Sequence, residues 1–475
     1  MQGRHHAHPQ LFAYTDIERL IPETHFLRKI NKVLDLSFVR ELTKSYYSDD
    51  NGRPSIDPEV FFRMQVIAYL YGISSDRQLC EEIQVNLAYR WFIGLSLEDD
   101  VPDHSSLTRI RDRFGEEIFK EVFERVVQQC QKAGLVKGRK IIADATLIEA
   151  DASLDSMVRR EEGDPDFREL KNHERRYHDF ITGKKKRRIS NQTHVSSTDP
   201  HSSLVTHRGW HRKLCYKSHF SVDADSRIIT DCHATTGARH ECQILPERIE
   251  YQLKRFKFPI TEVIADKGYG RGPSYSYFRE KGIRTYIPLH TDNLGEGRIS
   301  RGEFTYDRQN NRYRCPQNHF LYPYEKMEQG IKRYRIVGGH CRSCPLRESC
   351  LPNNHQHRAR FIYRNPHQDE IDRVKKRQQT AYFKSRLRER KWKVEGLFGE
   401  AKENHGLRRA KYRGLHKVQI QLYMTATVQN LKRLSALFIL LIKTISCLVK
   451  ARKRETFSTA PLSYFNLLLL HRVFN

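Results

Sequence analysis

Two changes of pattern along the chain predict an α/β protein with three parts: an all-helical N-terminal domain, a mixed sheet with flanking helices, and a cysteine-containing subdomain inserted into the sheet domain. Up to about residue 134 apolar residues recur at helical spacing, and from Lys140 the period becomes that of strands separated by helices. A cysteine-bearing stretch then precedes a late, strongly basic helical segment. A chain of 475 residues can bury a sizeable core and favours two or three domains.

In the N-terminal part the start and stop signals are local. Asp57-Pro58 supplies an N-cap and a proline at the first helical position; Phe61, Phe62, Met64, Ile67 and Leu70 fill the apolar stripe, and Gly72 ends it. Ser75 with Gln78 reads as a capping box. Asp103 opens a helix that closes at Gly115, and a second follows with Ile118, Phe119, Val122, Phe123, Val126 and Val127 before Gly134. A helix-turn-helix-like DNA module and a purely structural bundle both fit; in the first, Arg109, Arg111 and Arg113 are the phosphate contacts.

After that, residues 139–149 read as a strand, followed by a polar basic stretch at 155–212 that holds the run Lys184-Lys-Lys-Arg-Arg188. That run reads as a solvated loop that also touches phosphates. Residues 216–222 and 227–233 flank the turn Asp223-Ala-Asp-Ser226 as a hairpin. An amphipathic helix at 241–256, a strand at 262–266, a short helix at 274–281 and a strand at 284–289 complete the series. Three strands, helix, strand, helix, strand is the order of the ribonuclease H-like fold, whose carboxylates sit on the first strand, after the fourth and on a later helix.

Charge narrows the class of partner. With 84 Lys+Arg against 57 Asp+Glu the formal net charge is +27 and the pI about 9.7, which calls for a polyanion. A membrane surface is the rival to nucleic acid, but the longest apolar run, 434–449, is broken by Lys443 and falls short of the ~20 residues of a span. The start, Met-Gln-Gly-Arg-His-His-Ala-His, lacks the apolar centre of a secretory signal, so a cytoplasmic, nucleoid-associated chain with reduced thiols is expected.

Three acids stand in informative settings. Asp144 ends Lys140-Ile-Ile-Ala-Asp144 and Asp266 ends Val263-Ile-Ala-Asp266, so each strand delivers a carboxylate to its end; Asp266 is followed by the glycine-rich Lys-Gly-Tyr-Gly. Glu395 lies in a basic helical stretch beside Val394, Leu397 and Phe398, and Lys402, seven residues on, shares its helical face. Convergent carboxylates suit hard divalent cations. About 130 residues separate Asp266 from Glu395, far more than the ~12-residue loops that join elements, which implies an inserted domain. It contains Cys315, Cys341, Cys344 and Cys350, a spacing that fits a structural Zn²⁺ held by four thiolates, with His319 and His340 as substitutes. The alternative is that Cys341 and Cys344 alone lie together.

The segments Ile-Ala-Asp144-Ala-Thr, Ser197-Thr-Asp-Pro200, Tyr216-Lys-Ser-His219, Ala-Asp266-Lys-Gly-Tyr269 and Val-Glu395-Gly-Leu-Phe-Gly with Lys402, then Arg413-Gly414, resemble those of DDE transposases of bacterial insertion sequences. The likeness spans about residues 35–435. It implies Asp144, Asp266 and Glu395 as the catalytic and metal-binding triad, two Mg²⁺ or Mn²⁺ ions, and cleavage at the element's ends followed by strand transfer. It implies DNA contacts from Lys402, Lys391, Arg388, Lys217, Lys267 and Arg413. Lys391 stands where the family has Arg, Arg388 where it has Tyr, and His201 where it has a second Asp. Synapsis of two ends implies a homodimer, with residues 434–448 as a contact surface.

The expected divisions are a helical DNA-binding domain at 1–135, the first part of the catalytic domain at 136–290, the inserted subdomain at 291–370, the second catalytic part at 371–435 and a helical tail at 436–475. A DNA-binding protein that keeps the fold without turnover, and a metal-dependent endonuclease, are the competing readings.

Overall fold

The computed structural model describes residues 16–48, 55–160, 189–206, 212–290, 298–327, 330–351 and 359–454. The basic run 184–188 and the end of the tail from 455 lie outside the described residues. The chain forms two compact units: residues 1–137, 144–239 and 393–475 in the first, 138–143 and 240–392 in the second.

The first unit begins with seven α-helices: α1 (Ile17–Leu20), α2 (Phe26–Asn31), α3 (Val39–Thr43), α4 (Pro58–Leu70), α5 (Asp76–Val85), α6 (Leu87–Ile93) and α7 (His104–Lys132). Asp57 caps α4 by accepting from Glu59 N at 2.8 Å, and Asp103 caps α7 by accepting from Ser105 N at 2.8 Å. The expected break at Gly115 is there: φ 60° and ψ −168° interrupt α7, a conformation that glycine tolerates. The capping box at Ser75 forms in one direction only. Ser75 Oγ accepts from Gln78 N at 3.4 Å, while the Gln78 amide donates to Glu82 at 2.8 Å.

Phe61, Phe62, Phe114 and Phe119 make the aromatic centre of this bundle, with Phe62 5.2 Å from both Phe61 and Phe119. One sequence expectation fails here. Arg111, read as a phosphate contact, is 2% exposed, bonds to Asp76 at 2.7 Å and lies 4.5 Å over the Tyr412 ring. A guanidinium on the inner face of α7 must find its counter-charge inside, so it is spent on packing.

The strands of this unit are the end of β1 (Lys140–Glu149), β2 (Met157–Arg159), β3 (His194–Ser196), β4 (Ser203–Val205), β5 (Lys213–Asp223) and β6 (Ile229–Thr236). β5 pairs antiparallel with β6 from Tyr216↔Thr236 to Val222↔Ile229, and with β4. β2 and β3 form a separate two-stranded sheet.

The second unit holds the start of β1, paired in parallel with β7 (Glu262–Ile264), which pairs in parallel with β8 (Arg284–Tyr286). α8 (Leu245–Arg255) and α9 (Gly272–Glu280) intervene, as the alternating pattern predicts. Next comes a five-stranded antiparallel sheet of β9 (Thr305–Asp307), β10 (Arg312–Arg314), β11 (Phe320–Lys326), β12 (Lys332–Ile336) and, after α10 (Arg347–Cys350), β13 (Phe361–Arg364). This inserted segment has its own small core of Ile299, Phe304, Tyr313, Leu321, Tyr334, Ile336 and Ile362. α11 (Gln368–Arg377) and α12 (Ala381–Asn404) follow, and α12 belongs to the first unit from Lys393.

Among the described residues the expected tail does not begin as a separate element at 436. α13 (Leu415–Arg454) runs unbroken through residue 436 and packs on α7, α4 and β6 of the first unit. Among the described residues no helix is long and apolar enough to cross a membrane. α13 carries buried amides where an amphipathic helix would carry leucines. Asn430 accepts from Ile229 N at 2.9 Å and donates to Ile229 O at 2.8 Å; Gln419 accepts from Ala234 N at 2.6 Å and donates to Cys232 O at 3.0 Å. These side chains close the outer edge of β6 as a neighbouring strand would.

Asn430→Ala leaves both polar groups of Ile229 buried without their partner and should cost about 2 kcal/mol or more. A fall in the urea unfolding midpoint measures it, and an unchanged midpoint contradicts the clamp.

Candidate functional site

In the first unit, Glu395 owes its position to its neighbours. Val394 and Leu397 are fully buried, Phe398 stacks on Phe220 with ring centroids 5.0 Å apart, and Gln429 of α13 donates to Leu397 O at 3.0 Å. Lys393 is buried and donates to Ala224 O, while Arg227 Nε donates to Lys393 O at 3.2 Å. These contacts immobilise this part of α12, and Glu395 itself is exposed. Lys402, two turns on, is half-buried; burial and the charge of Arg408 pull its ammonium down in pKa, against Cys215 and Glu149.

Asp144 follows the buried Ile141-Ile142-Ala143 and is itself half-buried; its Oδ1 accepts from Ala145 N at 2.9 Å. Three motif segments meet elsewhere in this unit. Asp199 of Ser-Thr-Asp-Pro, 0% exposed, accepts from the Tyr216 hydroxyl and from Gly414 N at 3.3 Å. Burial, then the bond to Asp199, pushes the Tyr216 phenol far up. So Asp199, Tyr216 and Gly414 join their segments into one packed node, which sequence spacing alone did not reveal. Of the basic residues, Lys217 donates to Arg239 O at 3.0 Å, and exposed Arg413 reaches Asp151, donating to its carbonyl at 3.0 Å and pairing with its carboxylate at 3.3 Å.

Glu400, one turn past Glu395's buried neighbours, is the electrostatic knot of α12 and α13. His405 Nε2 lies 3.5 Å and Arg433 2.8 Å from its carboxylate, and Lys432 donates to it as well. Burial raises this carboxyl, but His405, Lys432 and Arg433 outweigh it and hold it well below the usual carboxylate range.

In the second unit, Asp266 caps the short 3-10 turn Lys267–Tyr269 by accepting from Gly268 N at 2.8 Å. A Cβ placed on Gly268 would lie 2.4 Å from Glu241 Oε2 and 3.1 Å from Asp266 Oδ1. Two carboxylates thus border one glycine. Sequence reading missed Glu241 because nothing local distinguishes it from a helix-start acid. Lys267, Arg388 and Lys391 are exposed. Among the described residues no group of three or more His, Cys, Asp or Glu side chains is arranged to hold a metal ion.

The same unit brings Cys315, Cys341, Cys344 and Cys350 to the lining of one cavity of about 30 Å³, with His319 and His340 on its wall. The two imidazoles stack with centroids 4.2 Å apart. All four thiols are free, and burial, with its neighbouring cysteines, pushes Cys350 up. Cys315 closes a tight turn, accepting from Asn318 N and donating to His319 O, each at 2.9 Å.

Comparison with known proteins finds two family matches: Transposase domain (DUF772) over residues 15–113 and Transposase DDE domain over residues 314–435. Solved structures with similarity include a piggyBac transposase synaptic complex with hairpin DNA, at 10% identity over 94% of this chain and 83% of that one, TM-score 0.29. Another is a Mos1 transposase paired-end complex with the left transposon end, at 10% identity over 52% of this chain and 64% of that one, TM-score 0.16.

A carboxyl whose folded pKa lies below its unfolded one stabilises above the unfolded value, ~4.3, and loses that contribution as pH falls through the folded value. Glu400→Gln should therefore lower stability by about 2–4 kcal/mol at pH 7, and the gap to the parent should narrow below about pH 4. Unfolding midpoints across pH measure this; a gap that widens in acid contradicts the assignment.

Proposed function

We propose that this chain, a transposase of the DDE family, cuts and joins DNA with Asp144, Asp266 and Glu395 as the three carboxylates of one site. The observation that carries this is Glu395: it lies inside the stretch matched to the Transposase DDE domain, exposed on a helix whose adjacent side chains are buried. Two others support it. Ile142 pairs in parallel with Ile264, and an aspartate follows each of them by two residues. The order β1, β5–β6 hairpin, α8, β7, α9, β8 with parallel β1, β7 and β8 fits a ribonuclease H-like sheet.

DDE enzymes work with divalent metal ions, and carboxylate oxygens fit Mg²⁺ or Mn²⁺; two such ions supply activation of the attacking hydroxyl and stabilisation of the leaving oxygen. The residues of the chain orient the DNA. Lys402, Lys391, Arg388, Lys217, Lys267 and Arg413 hold phosphates, with Arg413 the weakest because Asp151 already neutralises it. Hydrolysis at the element's end breaks one phosphodiester and frees a 3′-hydroxyl. That hydroxyl attacks a target phosphodiester, forming one P–O bond as another breaks. The two ends are held by a homodimer, for which exposed Leu440 and Ile442 on α13 are contact residues. The N-terminal helical bundle, 1–135 in sequence terms, binds the terminal repeats.

The cysteine cavity is proposed as a structural Zn²⁺ site that metal binding would complete, since among the described residues the side chains as they stand form no metal-holding group. The four thiols share one lining, the core cluster beside them holds seven side chains among the described residues, and a sheet this small gains from a metal staple. Its role is to hold α10 and the Cys315 turn to the sheet.

Asp144→Ala, Asp266→Ala and Glu395→Ala should each reduce Mg²⁺-dependent cleavage of a labelled element end at least about 1000-fold, with duplex binding within about twofold of the parent. Cleavage that survives any one substitution removes that residue from the triad. Purified full-length protein should contain one zinc per chain by elemental analysis, and Cys344→Ser should lose it and open residues 298–364 to protease. Zinc-free protein with four intact thiols and a protected subdomain would falsify the metal assignment.

A further inference from the structure

The five-stranded sheet has a second face that its core does not use. Along β11, β12 and β13 alternate residues point inward, among them Leu321, Tyr334 and Ile362, and the residues between them lie on the other side. Tyr322 pairs with Arg335 and Arg335 with Phe361, giving one cross-strand row; Arg333 pairs with Tyr363 in the next. Tyr324 sits in the irregular step between Pro323 and Glu325.

The rings on this face are open to solvent: Tyr322 is 43% exposed, Tyr324 50% and Tyr363 45%. The guanidiniums lie flat among them, Arg335 3.8 Å over Tyr324 and Arg333 3.7 Å over Phe361. Arg333 is partly answered by Glu325 at 3.2 Å, and Arg335 is exposed. Clustered exposed rings on a soluble surface mark a binding face. An apolar protein partner would have to bury the Arg335 guanidinium without counter-charge, which is costly. A polyanion with planar groups satisfies both features, since rings stack on bases and cations meet phosphates. A duplex keeps its bases stacked inside and offers only phosphates; a strand with unpaired bases offers both.

We propose that this face binds an unpaired segment of DNA strand, with Tyr322, Tyr324 and Tyr363 stacking on bases and Arg335 contacting phosphate. The inference rests on the transposase reading, in which DNA strands are cut and exchanged, and adds which strand state the inserted subdomain holds.

The test uses full-length protein carrying Tyr322→Ala, Tyr324→Ala and Tyr363→Ala together, a companion with Phe at the same three positions, and fluorescence anisotropy with a labelled single strand of about 12 nucleotides and with the same sequence as duplex. The alanine variant should bind the single strand on the order of 100-fold more weakly, keep duplex affinity within about twofold, and be matched against a phenylalanine variant that behaves as the parent. The inference is overturned if the alanine variant binds the single strand as the parent does, if duplex affinity falls in parallel, or if the parent binds duplex alone. A parent that binds neither form overturns the DNA-acting reading itself, so the two failures are distinguishable.

Discussion

Four amide side chains on one helix hold the first unit together. Gln419 and Asn430 of α13 close the edge of β6, Gln421 accepts from Lys411 N at 2.9 Å and donates to Gly406 O and Arg409 O, and Gln429 holds Leu397 O of α12. Each amide offers a donor and an acceptor, so each can satisfy backbone groups that burial would otherwise leave unpaired. Because the same helix reaches β6, the loop 406–411 and α12, its placement sets theirs. Glu395 inherits its position from this arrangement through Leu397, and Lys402 follows on the same helix.

Several buried charges of the first unit have partners. Arg111 is answered by Asp76, Glu400 by Lys432 and Arg433, and Asp199 by the Tyr216 hydroxyl and Gly414 N. A buried carboxylate or guanidinium without such partners would cost several kcal/mol. The charged groups left exposed are therefore a different population. Glu395 belongs to it, and Lys267, Arg388 and Lys391 are likewise exposed in the second unit. That separation is why the proposed DNA contacts include them and leave out Arg111 and Asp199.

The inserted subdomain illustrates how little core a sheet can have. Among the described residues one cluster of seven buried side chains supports five strands, the four cysteines line one cavity beside it, and the opposite face carries tyrosines and arginines in solvent. A sheet covered on one side alternates inward and outward residues, and here the outward set is aromatic where solvent alone would favour small polar groups.

Much was legible in local sequence. Asp57-Pro58, Asp103 and Gly115 announce helix limits because caps and breaks act within a few residues, and the series at 140–149 and 216–289 follows from periodicity. The short strands β2, β3 and β4, by contrast, fall in the stretch 155–212 that reads as a loop, because three-residue strands are too short to show a period. The resemblance carried by the segments around Asp144, Asp266 and Glu395 already pointed to transposases, whose domain models match residues 15–113 and 314–435. Only the tertiary structure decided that Arg111 faces inward, that Asp199, Tyr216 and Gly414 form one node, that Glu241 borders Gly268 beside Asp266, and that four distant cysteines line one cavity. Capping and periodicity depend on neighbours in the chain. Burial and the pairing of charge depend on neighbours in space, which the chain order does not contain.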